Sequence, residues 1–214
     1  MADASPGSAV NPPGIGEALN AGWNAFRLHT KVLLQAFGIF LGSVVALNLL
    51  VFLVGGSLGF ILRILLSTMC ALPTVLLLPG LYAIALAAVR GRKPDLRDIL
   101  VMFKGQFIHH VGLLLLQICG ILVCGLGVFV TQALFIPGSF MVIDRHMDWD
   151  DAMNTCVSSI KPSLLKWIAF HVVVAIVAFV GVFGLFVGLL FTGPIALCAW
   201  AYAYEKAFGG GIPR

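Results

Sequence analysis

Residues 188–210, GLLFTGPIALCAWAYAYEKAFGG, have the pattern of a transmembrane helix that ends at an aqueous face. The stretch begins with an apolar run, contains Pro194 at mid-depth and gathers aromatic residues towards its end. Glu205 and Lys206 close it, and they are the first charged residues after Lys166. This pattern predicts a helix that crosses a bilayer and reaches water at its C-terminal end.

The composition of the whole chain agrees with that prediction. Hydrophobic residues make up 60% of the 214 residues and charged residues 10%, with a mean hydropathy of +1.05. Soluble domains have about 45–50% apolar and about 25% charged residues, so an integral membrane protein is expected. The net charge of +4 is small and dispersed, which does not favour a nucleic-acid surface. The five cysteines form no CxxC pair, which favours small buried side chains over disulfides or a zinc site.

Three segments follow from the distribution of apolar residues. Residues 1–14 are small, polar and proline-containing, and they predict a disordered tail. Residues 15–208 predict a single transmembrane domain, and residues 209–214 a short glycine-rich tail.

An internal repeat organises the predicted domain. Pro79, Pro137 and Pro194 lie in similar apolar contexts and are 58 and 57 residues apart. Each is preceded by an amphipathic helix, an apolar span and a glycine turn. The fold class predicted is an all-α membrane protein, with six transmembrane helices arranged as three repeats of an amphipathic helix plus a hairpin. The repeats cover about 15–89, 94–143 and 148–205.

The amphipathic helices show regular apolar spacing. Residues 14–29 place Ile15, Leu19, Trp23 and Phe26 on one stripe, and an apolar run long enough to span follows Lys31. Similar stripes are predicted in the other two units. They comprise Leu96, Ile99, Leu100, Phe103 and Phe107 after Pro94, and Trp149, Met153, Cys156 or Val157, and Ile160 before Pro162. Hairpin turns are expected at Gly125 and Gly127 and around 181–188.

The basic residues predict the orientation. Of the thirteen Lys and Arg residues, all except Arg63 lie in segments that the six-helix topology places on one side. The positive-inside rule makes that side cytoplasmic, with both termini inside. The nine acids and most of the tryptophans lie on the same side. Polar interactions with other molecules are therefore expected at the cytoplasmic face.

The motifs G-P-I-x-x-x-A-x-A-Y-x-Y-E-x-x-F-G from Gly193 and P-G-x-x-x-V-I-D from Pro137, followed by D-D-A-M, carry a resemblance. The chain from about Gly16 resembles a broad group of bacterial polytopic membrane proteins, which includes membrane domains fused to glycerophosphodiester phosphodiesterases. The resemblance implies a six-helix protein of the bacterial cytoplasmic (inner) membrane. It carries no catalytic residues, and the soluble phosphodiesterase domain is missing from this sequence.

One cluster of residues has the chemistry of a metal site. It comprises Asp144, His146, Asp148, Asp150 and Asp151, whose oxygen and nitrogen atoms could hold a divalent cation. The alternative is that Asp148 and Asp151 cap a helix while the others are solvated, and the lack of a glycine-centred calcium loop favours it. We therefore predict no metal site and no cofactor.

Other polar or small residues lie within the apolar runs. His109, His110 and His171 are interpreted as hydrogen-bonding groups between helices rather than as ligands. The prolines at 79, 137 and 194 free backbone carbonyls, so they are candidates for a helix-break site, with kinks that improve packing as the alternative. Small-residue pairs could mediate a homo-oligomer, or contacts within one bundle. These pairs are Gly38 with Gly42, Gly55 with Gly59, and Gly184 with Gly188.

These observations favour a non-enzymatic membrane protein that acts as a scaffold, assembly factor or accessory subunit through its cytoplasmic face. Its expected partners are anionic lipid head groups and another membrane protein. The alternative is a channel or facilitator for a small or lipid-like solute, formed by the proline-broken helices. The predicted cytoplasmic contact face consists of Trp23, Arg90, Arg92, Lys93, Arg97 and Trp149.

Overall fold

The computed structural model describes residues 10–55, 59–104, 108–112, 127–183 and 187–209, and every regular element within these ranges is helical. The helices are α1 (Ile15–Gly55), α2 (Phe60–Val89), α3 (described over 108–112), α4 (Gly127–Arg145), α5 (Trp149–Ile160), α6 (Leu164–Phe183) and α7 (Val187–Phe208). Two 3₁₀ segments, Leu96–Lys104 and Lys161–Ser163, follow α2 and α5. The all-helical fold class is confirmed.

Helix α1 bends at His29, where the backbone leaves the helical region with φ −124° and ψ 27°. The bend coincides with the boundary predicted between the amphipathic helix and the first span. On its N-terminal side Ala18 and Phe26 are buried, and on its C-terminal side Leu33 and Phe37 are buried. Helix α1 thus consists of a short segment before the bend and a longer apolar segment after it.

Two helical segments are long and apolar enough to cross a membrane, namely Ile15–Val54 and Trp149–Phe183. A shorter apolar segment is Leu76–Val89. Several large apolar side chains on these segments are exposed, including Phe52, Leu165 and Phe183. Exposed apolar surface of this extent is unfavourable in water but is covered by lipid in a bilayer, which supports a membrane location.

Helix α7 lies at the centre of the described bundle and packs against α1, α2, α4 and α6. Its small residues Ala199 and Ala203 are fully buried. Opposite them, a Cβ atom at Gly22 would lie only 2.7 Å from the carbonyl oxygen of Ile195. The backbones of α1 and α7 therefore approach closely through small residues, as is common between membrane helices.

The segment after α2 differs from the prediction. Instead of an amphipathic α-helix after Pro94, residues Leu96–Lys104 form a 3₁₀ segment with non-helical angles at Leu100. The segment packs against α2, where a Cβ atom at Gly80 would overlap the backbone of Ile99. This direct backbone contact holds Ile99 buried while Leu100 remains exposed. Of the predicted stripe, Phe103 and Phe107 lie outside the side chains that the structure describes.

The third unit follows its predicted pattern more closely. Helix α5 buries Ala152, Cys156 and Ile160, so Cys156 rather than Val157 lies on the buried stripe. Pro162 lies in the Lys161–Ser163 turn, which joins α5 to α6 and is called the elbow below.

The two predicted hairpin turns lie partly within the described residues. Helix α6 ends at Phe183 and α7 begins at Val187, within the predicted turn at 181–188. Close to this turn Gly181 contacts Gly188 of the next helix, whereas Gly184 is outside the described residues. Helix α4 begins at Gly127, and the other predicted turn glycine, Gly125, also lies outside them.

Candidate functional site

Three helices bring charged side chains together at one end of the bundle. Arg90 follows the last residue of α2, Asp144 lies at the end of α4, and Glu205 lies near the end of α7. We call Arg90, Asp144 and Glu205 the charge cluster, and the end of the bundle where they meet the charged end. The elements that carry the cluster are the three helices that contain Pro79, Pro137 and Pro194.

The geometry of the cluster is that of a shared guanidinium. Both terminal nitrogens of Arg90 donate to Asp144, with 2.7 Å between Nη2 and Oδ2. Arg90 Nε also donates to Oε2 of Glu205 at 2.7 Å. The side chains of Arg90, Asp144 and Glu205 are 18%, 17% and 3% exposed. The guanidinium of one largely buried arginine therefore binds Asp144 through a bidentate contact and also binds a second carboxylate, that of Glu205.

The position of the two acids explains why the cluster needs an arginine. Asp144 and Glu205 lie at helix C-termini, where the helix dipole disfavours a negative charge. Arg90 compensates for both and is itself at a helix C-terminus, where a cation is favoured. The hydrogen bond with Asp144 raises the pKa of Arg90, and the contact with Glu205 raises it further. Desolvation of the guanidinium acts in the opposite direction, but the net effect is a raised pKa. The guanidinium is therefore permanently charged.

An aromatic layer lies beneath the cluster. The hydroxyl of Tyr204 donates to Oδ2 of Asp144 at 3.1 Å. The ring of Tyr204 stacks on Phe140 at 5.3 Å, and Phe140 packs on Tyr82 at 5.0 Å. All three rings are buried, so they shield the ion pairs from water on one side.

A second polar contact joins the beginning of α1 to the end of α7. Glu17 accepts a hydrogen bond from the hydroxyl of Tyr202 at 2.6 Å and pairs with Lys206. Both members of the ion pair are exposed, so solvent screening leaves the pair little effect on stability. It places the N-terminal part of α1 beside the charged end.

The residues of the predicted cytoplasmic contact face differ in exposure: all of them are exposed except Arg90, whose guanidinium binds two acids inside the bundle. Arg92, Lys93 and Arg97 are exposed beside the charged end, and we call these three residues the basic face. Trp23 and Trp149 are also exposed. Arg90, predicted as part of this contact face, points its guanidinium inward to Asp144 and Glu205.

The helix-break residues lie within continuous helices. Pro137 is inside α4 and Pro194 inside α7. Pro79 lies within α2. All three prolines are buried, and the helices run through them. The prolines therefore mark buried positions on the three helices that meet at the charge cluster.

The predicted acidic group separates into two parts. Asp144 belongs to the charge cluster, whereas Asp148, Asp150 and Asp151 are exposed, with carboxylate oxygens within 4.8 Å of one another. Asp148 occupies the N-cap position of α5, and Asp150 and Asp151 lie in its first turn. Acids at these positions stabilise a helix start through the helix dipole.

Of the histidines, His109 and His171 have defined neighbours. Nε2 of His109 lies 3.3 Å from Oδ1 of Asp148, which links α3 to the start of α5. The ring of His171 lies between Trp200 at 5.7 Å and Phe129 at 6.1 Å. These contacts agree with interhelical packing roles. His110 is buried.

The charge cluster was missed at the level of the sequence, although a signal for it existed. Arg90 and Glu205 each follow a repeat proline by 11 residues, and Asp144 follows Pro137 by 7 residues. Opposite charges at matching helix ends are a signal for ion pairing if the helices are neighbours. A scan of protein-family models and searches of curated proteins and of solved structures each find no match to this chain. The resemblance to bacterial polytopic membrane proteins therefore stays a prediction.

Proposed function

We propose that the chain is a non-enzymatic module of the bacterial cytoplasmic membrane, with six passes in three units and both termini in the cytoplasm. In this proposal it acts as a scaffold, assembly factor or accessory subunit of another membrane system. Its contacts are made at the charged end, with anionic head groups and with an acidic surface of a partner membrane protein.

The observation that carries the proposal is that two acids at the charged end are bound within the chain, whereas the basic residues of the basic face are exposed. The two largely buried acids of the charge cluster are bound by Arg90, so their charges are used within the chain. Arg92, Lys93 and Arg97, which follow closely in sequence, are exposed. Asp95 and Asp98 lie in the same stretch, so these three basic residues leave a small net positive charge there, which suits anionic partners.

Exposed apolar groups on the 3₁₀ segment, on α1 and on α5 support a membrane-surface location. Leu100 is half exposed on the 3₁₀ segment, and Trp23 and Trp149 are partly exposed on α1 and α5. Tryptophan is typical of the zone between head groups and hydrocarbon. Basic residues near an anionic surface add about 1 kcal/mol each. The basic face can therefore hold the charged end at the surface while it contacts a protein partner.

Charge reversal of the basic face is expected to remove the protein partner. The triple variant Arg92→Glu, Lys93→Glu, Arg97→Glu replaces a local charge of three positives by three negatives, which repels an acidic surface. We expect a membrane protein that co-purifies with the parent chain in mild detergent to fall at least 10-fold in quantitative mass spectrometry.

The matched control reverses three other exposed basic residues on the same side, Arg27, Lys31 and Lys161. The control variant is expected to retain the partner. Equal recovery from both variants, or a parent chain that purifies alone, contradicts the proposal. Reconstituted vesicles test the facilitator alternative separately, because solute flux above that of empty vesicles would assign the chain to that class.

A further inference from the structure

The N-terminal segment 10–13, Val-Asn-Pro-Pro, lies against the elbow between α5 and α6. The amide of Val10 donates to the carbonyl of Ser159 at 3.1 Å. The carbonyl of Val10 accepts from the hydroxyl of Ser163 at 2.5 Å and from Nε1 of Trp167 at 2.9 Å. Both backbone groups of Val10 therefore make hydrogen bonds, and these bonds join the N-terminal segment to α5, the elbow and α6.

The last turn of α5 supplies the backbone acceptor. Carbonyls in the last turn of a helix have no donor further along the helix, and Pro162, which has no amide hydrogen, cannot donate to Ser158. The carbonyl of Ser159 lies in this last turn, and it accepts from Val10. The end of α5, the elbow and the start of α6 therefore present a backbone acceptor beside two side-chain donors. This arrangement matches the backbone of an extended peptide.

With the segment in place, the side-chain donors of the site are buried. Trp167 is fully buried and Ser163 nearly so. Without a peptide carbonyl, the indole of Trp167 would lose its acceptor, and a buried donor left unsatisfied is unfavourable. The ring itself is fixed by its packing on Phe170 and Trp200. These ring contacts are made within α6 and α7 and do not involve the segment.

The segment itself is suited to this role. Two prolines follow Asn11 and restrict the backbone to extended conformations, so little conformational entropy is lost on binding. Pro13 is buried, and the side chain of Asn11 accepts from Nζ of Lys166 at 3.0 Å. The side chain of Val10 packs against the core, that of Asn11 accepts a hydrogen bond and Pro13 is buried, which fits an apolar residue followed by a polar residue and prolines.

We infer that the elbow is a binding site for an extended peptide of the form apolar-polar-Pro-Pro, which the chain's own residues 10–13 occupy as an exchangeable latch. The site is formed by Ser159, Ser163, Lys166 and Trp167. The inference does not depend on the proposed function, because it rests on contacts within the chain. A partner segment of the same chemistry would compete with the latch for the same backbone contacts.

A peptide-binding assay tests the inference. A fluorescent peptide with the sequence of residues 5–14, SPGSAVNPPG, is titrated in detergent with the full chain and with a variant that lacks residues 2–13. Fluorescence anisotropy is expected to show binding to the truncated chain at least 10-fold tighter than to the full chain. Trp167→Phe in the truncated chain removes one donor and is expected to weaken binding at least 5-fold. A peptide with Val10→Pro, which lacks the amide that binds Ser159, serves as the control and is expected to bind poorly.

A second variant keeps the test decisive if truncation prevents folding. Val10→Pro in the full chain weakens the internal latch without shortening the protein, and it is expected to bind the unmodified peptide at least 10-fold tighter than the parent chain does. The inference is overturned if neither folded variant binds the peptide better than the parent chain, or if the control peptide binds equally well.

Discussion

Replacing Arg90 by glutamine is expected to lower the free energy of unfolding by about 3 kcal/mol. The substitution removes the one cation that contacts both Asp144 and Glu205, and Glu205 is almost fully buried. Two carboxylates at helix C-termini would then lose the guanidinium that they share. Unfolding of the purified protein in detergent, followed by circular dichroism against denaturant concentration, measures the change.

Arg92→Gln is the matched control for Arg90→Gln. Arg92 is exposed and lies two residues away, so its substitution is expected to change stability by less than about 0.5 kcal/mol. Adding Asp144→Asn and Glu205→Gln to Arg90→Gln removes the uncompensated charges and should recover part of the loss. Similar stability of Arg90→Gln and Arg92→Gln would show that the charge cluster does not hold the helix ends together.

Replacing Gly80 by alanine is expected to destabilise the protein by about 3 kcal/mol, because the added methyl group overlaps backbone atoms. The atoms it would meet are the carbonyl oxygen, Cα and carbonyl carbon of Ile99. A backbone cannot move aside as the end of a flexible side chain can, so the 3₁₀ segment would have to separate from α2. Thermal unfolding in detergent measures the loss.

Gly42→Ala in α1 is the control for Gly80→Ala. A Cβ atom at Gly42 meets nothing within 4 Å, and alanine has a higher helix propensity than glycine. The control variant is therefore expected to be as stable as the parent chain or slightly more stable. If Gly80→Ala unfolds at the same temperature as Gly42→Ala, the close approach of α2 and Ile99 is wrong.

The features that depend on local sequence could be predicted. The change from amphipathic to continuous apolar character near His29 matches the bend in α1. The apolar spacing in α5 predicted a stripe through Cys156 or Val157 and Ile160, and Cys156 and Ile160 are buried, whereas Trp149 of the same stripe is exposed. Pro162, which lacks an amide hydrogen, coincides with the elbow after Ile160. Each of these features is determined by residues within one or two turns of helix.

The features that depend on distant residues could not be predicted in the same way. Asp144 and Glu205 are 54 and 115 residues from Arg90, and the sequence pattern that puts the ends of α2, α4 and α7 on one side does not show that these helices are neighbours. The 3₁₀ conformation of the Leu96–Lys104 segment likewise accompanies its contact with Gly80 of α2. Tertiary packing overrides local preference in such segments.

The N-terminal segment shows the same limit at the predicted peptide-binding site. Residues 10–13 have the composition of a solvated tail, and their sequence predicts one. Their position depends on the acceptor and donors of the elbow, which lie about 150 residues further along the chain. Only the structure brings these groups together.

Cysteine labelling in intact bacterial cells tests most directly whether the charged end faces the cytoplasm. Arg92→Cys places a thiol at the charged end, and Gly59→Cys places one before α2, at the opposite end of that helix. Helix α2 separates the two sites by about 45 Å, which exceeds the thickness of a hydrocarbon core of about 30 Å. We expect a membrane-impermeant maleimide to label Gly59→Cys in intact cells and Arg92→Cys only after permeabilisation, with the parent chain as the control for native cysteines. Labelling of Arg92→Cys in intact cells, with Gly59→Cys protected, would contradict the proposed orientation and place the basic face outside the cell.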